Sequence, residues 1–334
     1  MDKFQAYVVR KTENQITGQI EQLTVDDLSD GEVLVEVAYS SVNYKDMLVN
    51  QIDGHITDEY PMIPGIDLSG VVLESTDERF HPGDPVIATS YQIGVTHTGG
   101  YSEYARLHSD WVLPLPESLS LKDAMIFGTA GLTAALSVDR LERASMDASD
   151  QPEIVVSGAS GGVGSIALAI LHHLGYQNLT AIIRKSYQEG LVRSLGASDI
   201  LYAHTLTENP PRPLGHRQFD FAVDTVGGEI TNQLIPIINH QGALTLCGRV
   251  GGVDLNFVVF PFISRGVQLI GIDSVNCPMP LRKHVWERIA TEWNIASQLN
   301  FNEISLNELP ETFEALKDGK HLGRTIVAIN PDVK

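Results

Sequence analysis

The segment Ala159-Ser160-Gly161-Gly162-Val163-Gly164 is the part of this chain whose residue types and spacing most directly imply chemistry. It has the form A-x-G-x-x-G, in which Gly161 lets backbone approach a pyrophosphate and Gly164 lets a helix pack closely on a strand. A helix starting there turns amide donors and the positive end of its dipole toward phosphate. Twenty residues beyond Gly164 stands Arg184, followed by Lys185 and Ser186. A site reading an unphosphorylated ribose carries an acid at about this distance, whereas two cations suit a 2′-phosphate. The spacing therefore favours NADPH over NADH. Only two cysteines are present, Cys247 and Cys277, which excludes a disulfide framework and a four-cysteine zinc site.

These residues need a strand before the glycines and a helix after them, and the surrounding pattern supplies both. Ile154-Val155-Val156 is a short β-branched run fit for a buried parallel strand, and Ile166–Leu174 is apolar and helical, with Gly175 as its stop. Further strands are expected at 180–183, 200–201, 219–223, 243–246 and 267–270, with a helix over 187–195 and a proline-rich loop over 209–215. Strands alternating with helices predict a doubly wound parallel sheet. Residues 1–125 read differently. Short strands such as Glu32–Val37, broken by turns such as Pro82-Gly83-Asp84, suggest a small barrel. Helical spacing covers 123–127 and 132–136. The last sixty residues read as a helix around 283–295, a helix opened by Leu309-Pro310-Glu311, and a strand at 325–329. This tail most economically returns to the first domain. The expected boundaries are 1–124 with 272–334 for a substrate domain, and 125–271 for a nucleotide domain.

Several scattered segments together resemble the medium-chain dehydrogenase/reductase superfamily. They are Asn43-Tyr44-Lys45-Asp46, Pro64-Gly65-Ile66-Asp67, Pro82-Gly83-Asp84-Pro85-Val86 and Gly128-Thr129-Ala130-Gly131. Zinc-dependent members carry a histidine in a Gly-His-Glu triplet; here the triplet is Gly65-Ile66-Asp67, and isoleucine cannot ligate a metal. No metal site is expected. Without a Lewis acid, hydride needs an acceptor already activated by conjugation. Within the superfamily the chain is most similar to the acrylyl-CoA reductase group, also labelled quinone oxidoreductases. The matching segments include Gly94-Val95 with His97 and Gly99-Gly100, Ser194–Ser198, Pro261-Phe262-Ile263, Gly271–Val275 and Gly323-Arg324-Thr325. Thr98 stands where relatives carry a bulky aromatic, and Arg249 where they carry leucine.

This resemblance implies an α/β fold with a GroES-like β-rich substrate domain and a Rossmann nucleotide domain. It implies NADPH-dependent reduction of acryloyl-CoA to propanoyl-CoA. It also implies cofactor contacts at Tyr44, Thr129, Ser160, Gly161, Gly162, Val163, Arg184, Lys185, Arg249, Ile263 and Ser274, with Arg324 a further candidate for phosphate. Tyr44 is the first candidate to line the nicotinamide and relay a proton, with Lys45 and Asp46 able to hold its geometry or to form a structural ion pair. His97, in a glycine-flanked loop, is a second catalytic candidate. Asp224 is expected to cap the next helix, and Cys247 to be a small buried hydrophobe. Arg265 and Arg282, with Arg324, are possible partners for CoA phosphates. A quinone or alkenal reductase on the same fold and a non-enzymatic NADPH-binding protein are the alternatives.

Composition bounds the partners. With 42 acidic against 23 basic side chains, the net charge of −19 repels nucleic acid and anionic membranes. No run of about 18 consecutive apolar residues exists, and the first fifteen residues read as a strand rather than a signal peptide. The expected setting is the cytoplasm, and the expected assembly a homodimer.

Overall fold

The computed structural model describes residues 3–13 and 15–333; Met1, Asp2, Asn14 and Lys334 lie outside the described residues. The chain forms two compact units. One contains Met1–Thr129, Val275–Thr291 and Phe301–Lys334, the other Ala130–Ser274 and Glu292–Asn300.

The first unit begins with β1 (Phe4–Lys11) and β2 (Ile16–Leu23), an antiparallel ribbon. β3 (Val33–Ser41) leads into the short helix α1 (Tyr44–Val49), and β4 (Asp67–Ser75), β5 (Pro85–Thr89), β6 (Tyr104–Leu107) and β7 (Val112–Pro114) follow. β3 buries nearly every side chain, as its Val-rich sequence requires. Val33, Val35 and Val37 pack with Leu68, Val72, Val86 and Leu107, while Leu34 joins Phe4, Tyr7, Tyr101 and Phe313 in a separate cluster. That division follows from the two-residue period of a strand.

Helix α2 (Leu121–Arg143) is broken at Gly128, whose φ of 52° and ψ of −153° are not helical. It is long and apolar enough by composition to cross a membrane, yet most of it is buried inside the protein. The second unit continues with β8 (Ile154–Ser157), α3 (Gly162–His173), β9 (Leu179–Ile183), α4 (Glu189–Ser194), β10 (Asp199–Tyr202), α5 (Ala203–Leu206), β11 (Phe219–Asp224), α6 (Glu229–Leu234), β12 (Ile238–Leu246), α7 (Phe260–Arg265) and β13 (Gln268–Gly271). The strands are all parallel, in the order β10-β9-β8-β11-β12-β13. That is the doubly wound 3-2-1-4-5-6 order, with its switch point between β8 and β11. α3 buries every residue from Gly164 to Leu171, as an all-apolar helix must, and Gly175 closes it at φ 90°.

The chain then forms α8 (Met279–Ala290), β14 (Phe301–Ile304), α9 (Leu309–Lys317) and β15 (Arg324–Ala328). β15 pairs antiparallel with β3, completing a seven-stranded sheet in the order β14-β15-β3-β4-β5-β7, with β6 also on β3. α8 starts earlier than its apolar spacing suggests, because Pro280 lies in the first turn, where its missing N–H costs nothing. β2, β7, β14, α1, α5 and α7 went unpredicted; β2 and β14 leave much of their side chains half-buried or exposed, which removes the apolar contrast.

Candidate active site

In the second unit, the glycine-rich turn sits at the carboxyl end of β8. Gly158 has φ 58°, and a β-carbon there would lie 2.5 Å from Thr225 Oγ1. A β-carbon on Gly164 would lie 2.3 Å from the Gly158 carbonyl oxygen, so α3 starts this close to β8 only because residue 164 is glycine. Gly161 is the N-cap of α3, and a β-carbon on it would meet only the Gly158 oxygen, at 3.3 Å. The space over Gly161 is therefore open, as a pyrophosphate requires. Ser160 is buried, while Gly162 and Val163 are half-buried.

Across the switch point, Ser157 Oγ donates to Asp224 Oδ1 at 2.6 Å, and Thr225 Oγ1 donates to the Ser157 carbonyl at 2.8 Å. Asp224 also accepts from the N–H groups of Val226 and Gly227 and from Thr231 Oγ1, so it secures the turn into α6. Burial, and then the Asp224 charge, push the Cys247 thiol up to about 12, which keeps it protonated and inert.

At the end of β9 the N–H groups of Arg184 and Lys185 both donate to Gln188 Oε1, at 2.9 and 3.0 Å. This turn leaves both side chains exposed. Arg249 is exposed after β12, Ile263 is 73% exposed on α7, and Ser274 is buried, accepting from Thr133 Oγ1 at 2.8 Å. The open turn, the helix N-terminus and the two exposed cations fit a phosphorylated dinucleotide.

In the first unit, a buried polar network surrounds the start of α1. Asp46 accepts from the N–H groups of Asn43, Gly65 and Ile66 at 2.9, 3.1 and 3.0 Å, so it ties the entry of α1 to the segment before β4. Tyr44, the first residue of α1, is 43% exposed, and Lys45 is half-buried. Asp67 accepts from Ser41 N and Oγ, Asn43 Nδ2 and Thr129 N. Burial, and then the nearby Asp67 charge, raise Asp46 from 3.8 to about 7. Ser41, Asp67 and Gly128 were not picked out as site residues from sequence. Their signal was available only as an acid opening an apolar strand and a glycine inside a helical pattern.

Three expectations are corrected. Arg324 is not a phosphate ligand: it is buried, and donates from Nε to Ile126 O, from Nη1 to Val42 O and from Nη2 to Ser41 Oγ. Its place at the start of β15 aims it inward. His97 is buried with Nδ1 3.0 Å from Thr98 O and Nε2 2.9 Å from Asp30 O, so its ring faces backbone carbonyls rather than a substrate. Thr98 exchanges hydrogen bonds with Ser29, and the pair stitches two loops together. Arg265 and Arg282 are likewise spent on carbonyls, Arg265 on Gly215, Pro236 and Ile238, and Arg282 on Thr89 and Val275. Among the described residues, no three His, Cys, Asp or Glu side chains gather to hold a metal ion.

Residues 29–117 match the alcohol dehydrogenase GroES-like domain, and residues 162–291 match the zinc-binding dehydrogenase domain. The chain is 40% identical over 330 residues to acrylyl-CoA reductase AcuI of Ruegeria pomeroyi, covering 98% of this chain and 99% of that protein. The crystal structure of the yhdH oxidoreductase from Salmonella enterica in complex with NADP is 40% identical, with a TM-score of 0.94 over 97% of this chain and 99% of that one. Bacillus subtilis yhfP with NAD bound is also 40% identical, with a TM-score of 0.94 over 98% of this chain and 100% of that one.

Proposed function

Because the chain belongs to the acrylyl-CoA reductase group of medium-chain oxidoreductases, we propose that it reduces an activated carbon–carbon double bond with NADPH, most specifically acryloyl-CoA to propanoyl-CoA. The observation that carries the cofactor choice is the pair of exposed cations, Arg184 and Lys185, presented at the end of β9. NADPH, when bound, supplies hydride to the β-carbon of the enoyl thioester. Ser160, Gly161, Gly162 and Val163 hold its pyrophosphate, Arg184 and Lys185 its 2′-phosphate, and Arg249, Ile263 and Ser274 complete its contacts.

Tyr44 and Thr129 line the nicotinamide. Negative charge gathering on the thioester oxygen calls for fixed donors, and the α-carbon then takes a proton. Tyr44 suits that relay, since α1 presents it to solvent while Asp46 fixes the helix entry beneath it. Lys45, beside it, helps hold that geometry. With Ile66 in the position of a metal-binding histidine and the Asp67 oxygens occupied by N–H and O–H donors, these residues do not fit a catalytic zinc.

We further infer that the protein works in the cytoplasm as a homodimer. Exposed Val253, Val259 and Phe260 and the edge strand β13 support self-association through the second unit. A single-chain mass in sedimentation at micromolar concentration would sink the dimer.

Stopped-flow NADPH oxidation with acryloyl-CoA, with a small quinone and with no acceptor tests the reaction. Turnover is expected with the thioester; turnover with quinone alone would reject this reading in favour of a quinone reductase. No turnover with either would favour a cofactor-binding protein. Arg184→Asp should weaken NADPH at least about tenfold while leaving NADH nearly unchanged, and equal losses would refute the 2′-phosphate assignment.

A further inference from the structure

We propose that Ser90 is a positioning residue for hydride transfer that acts through the Thr129 hydroxyl; this rests on the reading of Thr129 as a nicotinamide contact. Ser90 has φ 69° and Tyr91 has φ 50°, two consecutive side-chain-bearing residues in the left-handed region. Glycine would take the Ser90 conformation freely, whereas a β-carbon strains it.

The surroundings hold this turn without help from the serine side chain. Ser90 N donates to Ile66 O at 2.7 Å, and Tyr91 N to Val275 O at 3.3 Å. The Tyr91 ring stacks on Trp111 at 5.8 Å and 11°, carries the Arg282 guanidinium 4.3 Å from its centroid, and its hydroxyl donates to Cys277 O. Arg282 itself binds Thr89 O and Oγ1 at 2.8 and 2.7 Å. A strained residue persists where its frame over-determines it, and such residues concentrate at functional sites.

What the serine adds is a hydroxyl 3.3 Å from Thr129 Oγ1, in a position where Ser90 is only 1% exposed. The Thr129 backbone is already fixed, because its N–H donates to Asp67 Oδ2 at 2.8 Å. A threonine hydroxyl has one proton and two lone pairs, so a partner at Ser90 fixes in which direction the remaining capacity points. Ser90 thus sets the orientation of the Thr129 hydroxyl toward the nicotinamide.

The test compares Ser90→Gly, Ser90→Ala, Thr129→Val and the double variant Ser90→Gly/Thr129→Val. The readouts are Tm, NADPH affinity, the emission of bound NADPH, and kcat and KM with acryloyl-CoA. Ser90→Ala removes the hydroxyl alone. Ser90→Gly suits the backbone conformation and loses the whole side chain, hydroxyl included, so its Tm should stay within about 2 °C of wild type. Its kcat should fall about five- to tenfold, with Ser90→Ala matching it. The double variant should be no slower than Thr129→Val, since the second hydroxyl acts through the first. The emission of bound NADPH should change in Ser90→Gly as it does in Thr129→Val. Wild-type kcat and emission in Ser90→Gly, or a double loss equal to the product of the singles, would overturn the proposal while leaving the reductase reading intact. A wild-type protein that does not bind NADPH would overturn both. If it binds NADPH without reducing acryloyl-CoA, the reductase reading fails and the emission comparison alone decides the role of Ser90.

Discussion

Asp46 and Arg324 belong to one buried network, and burial works against the charge of each. It raises the Asp46 carboxyl and lowers the Arg324 guanidinium below its ordinary value. For Asp46 the consequence for stability has a definite sign. A folded pKa of about 7 against an ordinary 3.8 means that the folded protein keeps a proton the unfolded chain has lost. That contribution is full below about 4 and disappears as pH rises through 7. Asp46→Asn does not titrate, so the Tm of wild type relative to this variant should fall by about 5 °C between pH 5 and 8. A relative Tm that is flat or rises across that window would show that the three N–H donors outweigh desolvation. Asp46 was legible in the sequence as a candidate because an acid two residues after Tyr44 stands out. Its partners, the N–H groups of Gly65 and Ile66, are backbone and carry no residue signal.

Helix α2 shows how an element can be read correctly and still be incomplete. Its two apolar stretches, 123–127 and 132–136, were recognisable from spacing alone, but the break between them was not. A β-carbon on Gly128 would lie 2.6 Å from Asp67 Oδ2, 2.6 Å from Ser41 Oγ and 2.9 Å from Arg324 Nη2, in a backbone conformation reserved for glycine. Gly128→Ala should therefore cost about 2–4 kcal/mol in denaturant unfolding and abolish turnover. A loss below about 1 kcal/mol, the ordinary range for an exposed helical glycine, would contradict the packing described. The turn at Gly158–Gly164 is the opposite case. Its glycines announce themselves because the same spacing recurs wherever backbone must approach a phosphate.

The whole molecule carries a net charge of −19. With 42 acids against 23 lysines and arginines, cations are too few to pair every acid one to one, although pairs such as Arg10–Glu21 and Arg79–Asp77 place some at 2.8 and 2.7 Å. Exposed pairs of this kind contribute little, and the summed repulsion opposes the compact state. Raising NaCl from about 0.02 to 0.3 M should then increase Tm by about 3 °C, since the screening length drops below the spacing of surface charges. A decrease would mean that the ion pairs matter more than the net field.

Reading the chain alone was sufficient for the parallel sheet and the dinucleotide turn, and for the expectation of an NADP cofactor. Each depends on residues close together along the chain, where period, glycine spacing and a cation at a set distance act locally. The inward roles of Arg324, His97 and Arg282 could not be read that way. Each depends on a partner far along the chain: Asp30 for His97 at 67 positions, Thr89 for Arg282 at 193 and Ser41 for Arg324 at 283. Whether a charged or polar side chain faces a ligand or a carbonyl is settled only once the strands have paired and the space around it has closed.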